Sequence, residues 1–143
     1  MTAQRVGHQS PVKNEIINPE ILGPPLGFSH GIKSGNTVYL GGQTALDENR
    51  NIIPGGLIEQ FRKAFGNVLE TLREAGGQPD DLVAVTIYLL DVDEYQANGR
   101  EIGKIWREMA GSKYPAITGL GVSRLWQKEA LIEIDAVAVI QDR

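Results

Sequence analysis

Residues 114–139, YPAITGLGVSRLWQKEALIEIDAVAV, decide the fold of this chain. Two apolar runs with a polar stretch between them predict two strands joined by a turn, as in a hairpin. In the second run the side chains alternate with period two, and one of the two faces is purely apolar. That face consists of Ile132, Ile134, Ala136, Ala138 and Ile140. A strand of this kind packs on an apolar layer.

The opposite face of the same strand carries two carboxylates, Glu133 and Asp135, among Leu131, Val137 and Val139. Charged side chains are rarely left inside an apolar strand without a partner. They face water, contact another subunit or belong to a site, and the pattern alone does not choose among these.

Composition restricts the classes of function. The chain has 143 residues, of which 41% are hydrophobic and 22% charged, as expected for one globular domain spanning 1–143. A net charge of −4 with scattered basic residues argues against a nucleic-acid surface. The absence of cysteine excludes disulfides and thiolate chemistry. Without an apolar leader or a membrane-length apolar run, we expect a cytoplasmic protein that binds no membrane.

The remaining elements follow from periodicity and turn residues. The first 12 residues are polar, and we expect a flexible terminus there. Asp93 is predicted to cap a second helix ending near Met109. The run at 82–90 is almost continuously apolar and predicts a central strand buried on both faces. The other predicted elements are an edge strand at 13–17, a hairpin of 28–33 with 37–40, and a helix at 57–75.

Two amphipathic helices and these strands predict an α+β fold, with a single mixed sheet and both helices on one side. The other sheet face would then be uncovered and apolar. Because such a face rarely remains in water, the pattern predicts oligomerisation through the sheet.

Most standard catalytic sites are missing. The chain has no phosphate-binding loop and no dinucleotide fingerprint. Its only histidines, His8 and His30, lack metal-ligand spacing, so we predict neither a metal nor another cofactor. We expect His30 to be a surface or interface residue rather than a base. Gly41 and Gly42 end a strand, where they form a bulge or admit a close backbone contact.

Glu133 is the candidate catalytic residue. If it is buried, its pKa is raised and it can transfer a proton. The competing interpretation is an ion pair with Arg124 or with a neighbouring subunit. Asp135 is expected to be structural.

The chain resembles the RidA family, also called the YjgF or endoribonuclease L-PSP family. The resemblance rests on GNTVYLGGQ, on the helix ending in AGG, on DLVAVTIYLLDVDEY, and on YPAITGLGVSRL followed by LIEIDAVAV. It implies a chorismate-mutase-like fold and a homotrimer with a central β-barrel. Small-molecule ligands would bind at the subunit interfaces. Active members hydrolyse reactive enamines and imines, releasing ammonia without a cofactor.

The resemblance also implies roles for particular residues. Glu133 matches a strand glutamate that positions water, and Phe28 falls near a tyrosine that closes the pocket. Gly41, Gly42 and Gln43 match the backbone wall of the pocket, with Gly41 in place of a common serine.

One position departs from the family pattern. Ile117 follows Pro115-Ala116, where active members have an arginine that binds the substrate carboxylate. Ile117 and Thr118 are therefore predicted to line the site without that anchor. Arg124 matches a different family arginine. The chain is thus either a divergent enamine or imine hydrolase or a small-metabolite-binding trimer that does not deaminate.

Overall fold

One six-stranded mixed sheet organises the chain in the computed structural model, which describes residues 13–143. The flexible terminus predicted for residues 1–12 lies outside the described residues. The strands are β1 (Asn14–Ile17), β2 (Gly31–Ser34), β3 (Thr37–Gln43), β4 (Leu82–Leu89), β5 (Ala116–Gly121) and β6 (Ile132–Val139). The helices are α1 (Leu57–Glu74), α2 (Val92–Ala97) and α3 (Gly99–Ala110), with 3-10 turns at Glu20–Leu22 and Pro79–Asp81.

The spatial order of the strands is β1-β2-β3-β6-β4-β5. All neighbours are antiparallel except β4 and β5, which are parallel. The predicted α+β class, the mixed sheet and the edge strand at the N-terminal side are confirmed.

The period-two pattern of β6 is confirmed residue by residue. Ile132, Ile134 and Ala138 are fully buried, and Ala136 is 4% exposed. Glu133 and Asp135 lie on the other face and are half-buried. This strand pairs with β3 on one side and β4 on the other, so it is the central strand.

The predicted hairpin of residues 114–139 is wrong. β5 does not pair with β6, because β4 lies between them and is bonded to both. β4 reaches its parallel neighbour β5 through α2 and α3, as parallel strands require a long crossover. Ten residues, 122–131, then carry the chain from β5 across β4 to β6. We call residues 122–131 the connecting segment.

The hydrophobic core lies between the sheet and the helices. In α1, Phe61, Phe65, Val68 and Leu72 are fully buried, as the helical spacing predicts. The helix packs on β3 and β6. Trp106 of α3 stacks on Phe65 with ring centroids 4.3 Å apart. Burying each of these side chains contributes roughly 1.5–3 kcal/mol.

The second predicted helix is divided in two. Asp91, rather than Asp93, caps it by accepting a hydrogen bond from the Glu94 amide at 3.0 Å. The helical geometry is interrupted at Asn98, whose side chain donates to the carbonyl of Glu94. The sequence Asn98-Gly99 favours such a break because both residues have low helix propensity. The apolar stripe through Ile102, Ile105 and Trp106 is nevertheless buried as predicted.

β4 is not buried on both faces within the chain. Val85, Ile87 and Leu89 face the helices and are almost fully buried, whereas Val83 is 43% exposed. The apolar composition of the strand concealed this alternation. Across the same open side of the sheet, Tyr39 lies opposite Val137 and is 54% exposed. No helix among the described residues has the length and apolarity that crossing a bilayer would need.

Candidate functional site

A cavity of about 960 Å³ lies at one end of the sheet, where β3 and β4 end and β6 begins. We call it the main cavity. Its walls come from the loop before β2, from the end of β3 and from the connecting segment. Its polar lining includes His30, Gln43, Tyr88, Arg124 and Glu133.

A second cavity of about 380 Å³ lies against α1 and contains none of the predicted site residues. Its charged lining mixes Glu59 and Glu70 with Arg62 and Lys63. Because these opposite charges offset one another and belong to an exposed helix face, the main cavity is the better candidate for a site.

Glu133, the second residue of β6, lines the main cavity with its side chain. Burial raises the pKa of its carboxyl above the ordinary value, and the nearby charge of Asp135 raises it further, by a smaller amount. Among residues 13–143 this carboxylate forms no ion pair, so the predicted pairing with Arg124 is not formed within the chain. A raised pKa and access to a cavity are what a proton-transferring carboxylate requires.

A β-bulge in β3 makes room for Glu133. Leu40 lies opposite Ala136, but Gln43 lies opposite Ile134, so one extra residue is accommodated between them. A side chain at Gly42 would overlap Oε2 of Glu133 and lie 3.0 Å from its Cδ. Gly42 is therefore a glycine because the glutamate occupies the space of its side chain.

Gly41 allows a close approach on the other side of β3. A Cβ added there would lie 3.2 Å from the carbonyl oxygens of Ser29 and His30. The Gly41 amide donates to that His30 carbonyl at 2.8 Å. Both expected roles of this glycine pair, a bulge and a close backbone contact, are confirmed.

Tyr88 and Asp135 form a pair beside Glu133. The Tyr88 hydroxyl donates to Oδ2 of Asp135 at 2.8 Å, and this hydrogen bond, with burial, raises the pKa of the tyrosine. Tyr88 also lines the main cavity, whereas Asp135 does not. Asp135 thus holds Tyr88 in place and adds negative charge near Glu133.

The loop before β2 forms the outer wall. Phe28 lines the main cavity and is 56% exposed, and its ring meets the His30 ring edge-on at 5.4 Å between centroids. Arg50 Nη1 donates to the Pro24 carbonyl at 3.1 Å, which ties this loop to its neighbour. Arg50 is the only described non-glycine residue with a positive φ, of 64°.

The connecting segment forms the remaining wall and is anchored by two polar side chains. Gln60 of α1, which is 2% exposed, accepts from the Leu131 amide at 2.8 Å and donates to the Glu129 carbonyl at 3.1 Å. Thr44 donates to Oε1 of Gln127 at 2.8 Å. These bonds hold Arg124 and Trp126 at the main cavity, although the Trp126 side chain is 88% exposed.

Ile117 and Thr118 are placed elsewhere. Ile117 is in register with Val85, whose side chain faces the helices, and neither Ile117 nor Thr118 lines the main cavity. Val122, which does line it, is five residues beyond Ile117, about 16 Å of extended chain. Phe28, Gly41, Gly42, Gln43 and Glu133 are thus brought together within one chain, while the two β5 residues are not.

Sequence reasoning missed His30, Tyr88 and Arg124 as components of this cavity. His30 is 6% exposed and is not a surface residue of the described chain. Tyr88 shares a face and a register pair with Glu133, a signal that requires knowing that β4 neighbours β6. Among residues 13–143, no three His, Cys, Asp or Glu side chains are grouped so as to hold a metal ion.

Comparison with known proteins shows which family the chain resembles. The family model described as endoribonuclease L-PSP matches residues 20–140. A RutC family protein of Pyrococcus abyssi is 35% identical over 126 residues, which cover 87% of this chain and 95% of that protein. The 2-iminobutanoate/2-iminopropanoate deaminase of Dermatophagoides farinae is 30% identical over 128 residues, which cover 88% of this chain and 96% of that protein. The structure of E. coli TdcF with bound serine is similar, with a TM-score of 0.79 and 25% sequence identity. The match covers 89% of this chain and 99% of the TdcF chain.

Proposed function

Because the chain belongs to the endoribonuclease L-PSP family, which includes RidA, we propose that it hydrolyses a reactive enamine or imine metabolite and releases ammonia. One relative bears the name of an imine deaminase. The observation that carries the proposal is the Glu133 carboxyl, which burial holds at a raised pKa inside the main cavity. The cytoplasmic location expected from the sequence stays a prediction.

The proposed reaction needs one group that moves protons from oxygen to nitrogen. Water adds to the carbon of the C=N bond, the C–N bond then breaks, and the products are a carbonyl compound and ammonia. Glu133 would accept a proton from the attacking water and pass it to the nitrogen, which gives a carbinolamine. It would then take the proton of the carbinolamine hydroxyl and deliver it to the nitrogen as the C–N bond breaks. A carboxyl with a raised pKa suits both steps, since it is a stronger base than an ordinary carboxylate and can return the proton it accepts.

The surrounding residues suit a small substrate. Gly41 and Gly42 line the main cavity with backbone alone, and the Phe28 ring lies at its outer wall. Arg124 adds a cation that no carboxylate of residues 13–143 neutralises. An anionic group on the substrate would find its partner there rather than at position 117.

A second candidate is a trimer that binds a small metabolite without deaminating it. The observation that favours it is Ile117, because an isoleucine cannot hold a carboxylate where the resemblance implies an arginine. Losing such a charge-assisted contact costs on the order of 1.5–3 kcal/mol.

We also propose a homotrimer whose subunits cover one another's open sheet faces, with ligands at the subunit interfaces. The exposed apolar residues of that side, Tyr39 and Leu120 among them, support this arrangement. Ile117 and Thr118 would then reach a ligand only from a neighbouring copy. Static light scattering at micromolar concentration tests it, and a monomer would refute it.

The decisive assay generates an imine in situ from an amino acid with a dehydratase and follows its loss. We expect faster loss with the wild-type chain than with buffer, and a decrease of about 100-fold or more in Glu133→Gln. Glu129→Gln, an exposed carboxylate of the connecting segment, is the matched control. A wild-type rate equal to that of buffer, with measurable ligand binding, would favour the second candidate.

A further inference from the structure

Gln43 has an amide whose two ends meet different surroundings. Its side chain is 5% exposed and lines the main cavity. One end of the amide, Nε2, lies 3.0 Å from Nδ1 of His30. An amide has a donor end and an acceptor end, so the neighbour of one end decides what the other end offers to a ligand.

The neighbours of His30 fix that choice. Its Nε2 lies 3.3 Å from the carbonyl oxygen of Gly23, which can only accept a hydrogen bond, so Nε2 carries a hydrogen. Burial lowers the pKa of His30 and favours the neutral ring, although the Gly23 carbonyl opposes this. In a neutral ring with hydrogen on Nε2, Nδ1 accepts. The group that faces Nδ1 must therefore be the NH₂ of Gln43.

The carbonyl oxygen of Gln43 is left for the cavity. Among residues 13–143 this oxygen has no hydrogen-bond partner. The only fully buried side-chain polar atom without a partner in that range is Nε1 of Trp106, so the Gln43 oxygen is accessible from the space that Gln43 lines. An unpaired carbonyl on a side chain this deeply buried is costly unless something donates to it. The main cavity thus presents two acceptors, the Gln43 carbonyl and the Glu133 carboxyl.

We propose that His30 is a positioning residue that orients the Gln43 amide, and that Gln43 Oε1 accepts a hydrogen bond from the nitrogen of the bound ligand. The ligand class is a small molecule with an N–H at the reacting carbon, an imine, an enamine or an amine, in preference to the matching carbonyl compound. This inference rests on the proposed function for the identity of that nitrogen. A site that prefers an N–H donor would also favour release of the keto product, which offers no donor to Oε1 of Gln43.

His30 does not act on the ligand itself. Both of its ring nitrogens are engaged within the protein, and the Phe28 ring contacts its ring with centroids 5.4 Å apart. Its effect is transmitted through the amide of Gln43. Without the histidine, the amide could rotate by half a turn and present NH₂ to the ligand instead.

The first test reads the tautomer of His30 without using activity. The chain has only two histidines, so ¹⁵N-histidine labelling gives two sets of ring signals, and His8→Gln leaves those of His30 alone. We expect a hydrogen on Nε2 and a bare Nδ1 at pH 7.5, with the Nδ1 shift changed in Gln43→Met. A hydrogen on Nδ1 would overturn the proposal, because Gln43 would then have to accept from the histidine and direct NH₂ into the main cavity.

The second test compares two stable probes with one carbon skeleton, 2-aminobutanoate and 2-oxobutanoate, by calorimetry or NMR titration. We expect the amino compound to bind about tenfold more tightly, on the scale of one hydrogen bond. The preference should disappear in Gln43→Met, which keeps the length of the side chain and removes its polar ends. Gln96→Met is the matched control, since it makes the same change at an exposed glutamine of α2 that does not line the main cavity, and it should keep the preference.

His30→Phe keeps the ring and the edge contact with Phe28 but removes both nitrogens. We expect its amine preference to fall toward one, with thermal stability recorded alongside. A merely structural histidine would change the melting temperature and leave the ratio of affinities alone. Equal affinities of the wild-type chain for the two probes, or no measurable affinity for either, would also overturn the proposal.

The experiments distinguish failure of the proposed imine hydrolysis from failure of the proposed Gln43 orientation. A wild-type chain that does not hydrolyse imines, yet has hydrogen on Nε2 and prefers the amino probe, refutes the proposed function and supports the orientation of Gln43. A chain that hydrolyses imines with hydrogen on Nδ1 of His30 supports the proposed function and refutes that orientation.

Discussion

Replacing Gly42 by alanine is expected to abolish most activity while leaving the fold intact. The added Cβ would overlap Oε2 of Glu133 and lie 3.0 Å from Cδ and 3.3 Å from Cγ of the same side chain. All three nearest atoms belong to one flexible side chain and none to the backbone. The glutamate can therefore yield by rotating, and the strand need not move.

The structure sets the expected magnitudes. Turning one side chain away from its preferred rotamer costs about 0.5–1.5 kcal/mol, which for a chain of this length lowers the melting temperature by about 2–6 °C. The carboxyl, however, would leave the place where it meets the ligand. Loss of a positioned acid or base lowers kcat by about 10²- to 10⁴-fold, and we expect at least 100-fold, with a smaller change in KM.

The assay is hydrolysis of an imine generated in situ, with melting temperatures measured on the same samples. Gly119→Ala is the matched control, because a Cβ at this strand glycine meets nothing within 4 Å. The double variant Gly42→Ala/Glu133→Gln should be no slower than Glu133→Gln alone, since both changes remove the same group. A Gly42→Ala chain with wild-type kcat would refute the reasoning.

Three further predictions concern stability. Glu133→Gln should raise the free energy of unfolding at pH 7–8. Burial and Asp135 raise the pKa of Glu133, so its ionised form is disfavoured in the folded state and the neutral glutamine removes that penalty. Urea titrations should show this gain vanish below about pH 4.5, the ordinary pKa of glutamate. Phe65→Ala, at a fully buried ring stacked on Trp106, should cost about 3–5 kcal/mol, whereas Phe28→Ala should change stability by less than about 0.5 kcal/mol in the same denaturation experiment. Asp81 is 1% exposed, and hydrogen bonds from Arg143 and two backbone amides lower its pKa although burial alone would raise it. Asp81→Asn should therefore lose about 1–3 kcal/mol at pH 7, a difference that shrinks as pH falls through the depressed pKa below 3.8.

The elements that the sequence predicted well are those whose pattern is local. The alternation of β6 and the apolar stripe of α1 depend on side chains a few residues apart, so the buried face can be identified from spacing alone. The pairing of β5 with β6 failed because nearness in sequence was taken for nearness in the sheet. A strand followed by two helices and another strand is better explained by a parallel crossover from β4 to β5, and that choice would have placed Tyr88 beside Glu133.

His30 marks a different limit. Nothing in its sequence neighbourhood indicates burial, because its partners, the Gly23 carbonyl and the Gln43 amide, come from a loop and from the end of another strand. Its role depends on hydrogen bonds at both ring nitrogens, which no periodicity records. The missing arginine at Ile117 was visible in the sequence, but the presence of Arg124 at the main cavity required the path of the connecting segment.

The bulge in β3 links these observations. With regular pairing from Leu40 onward, Gly42 would lie opposite Ile134 and Gln43 opposite Glu133, so the amide would occupy the face that the carboxyl needs. The extra residue moves Gln43 opposite Ile134 and leaves Gly42 beside Glu133. The same shift lets the amide meet His30 and opens a path for the carboxyl. A glycine pair in a strand is compatible with a bulge or with simple close packing, and only the register distinguishes them. The arrangement of acceptors in the main cavity is therefore a consequence of strand register, one step beyond what residue types and spacing determine.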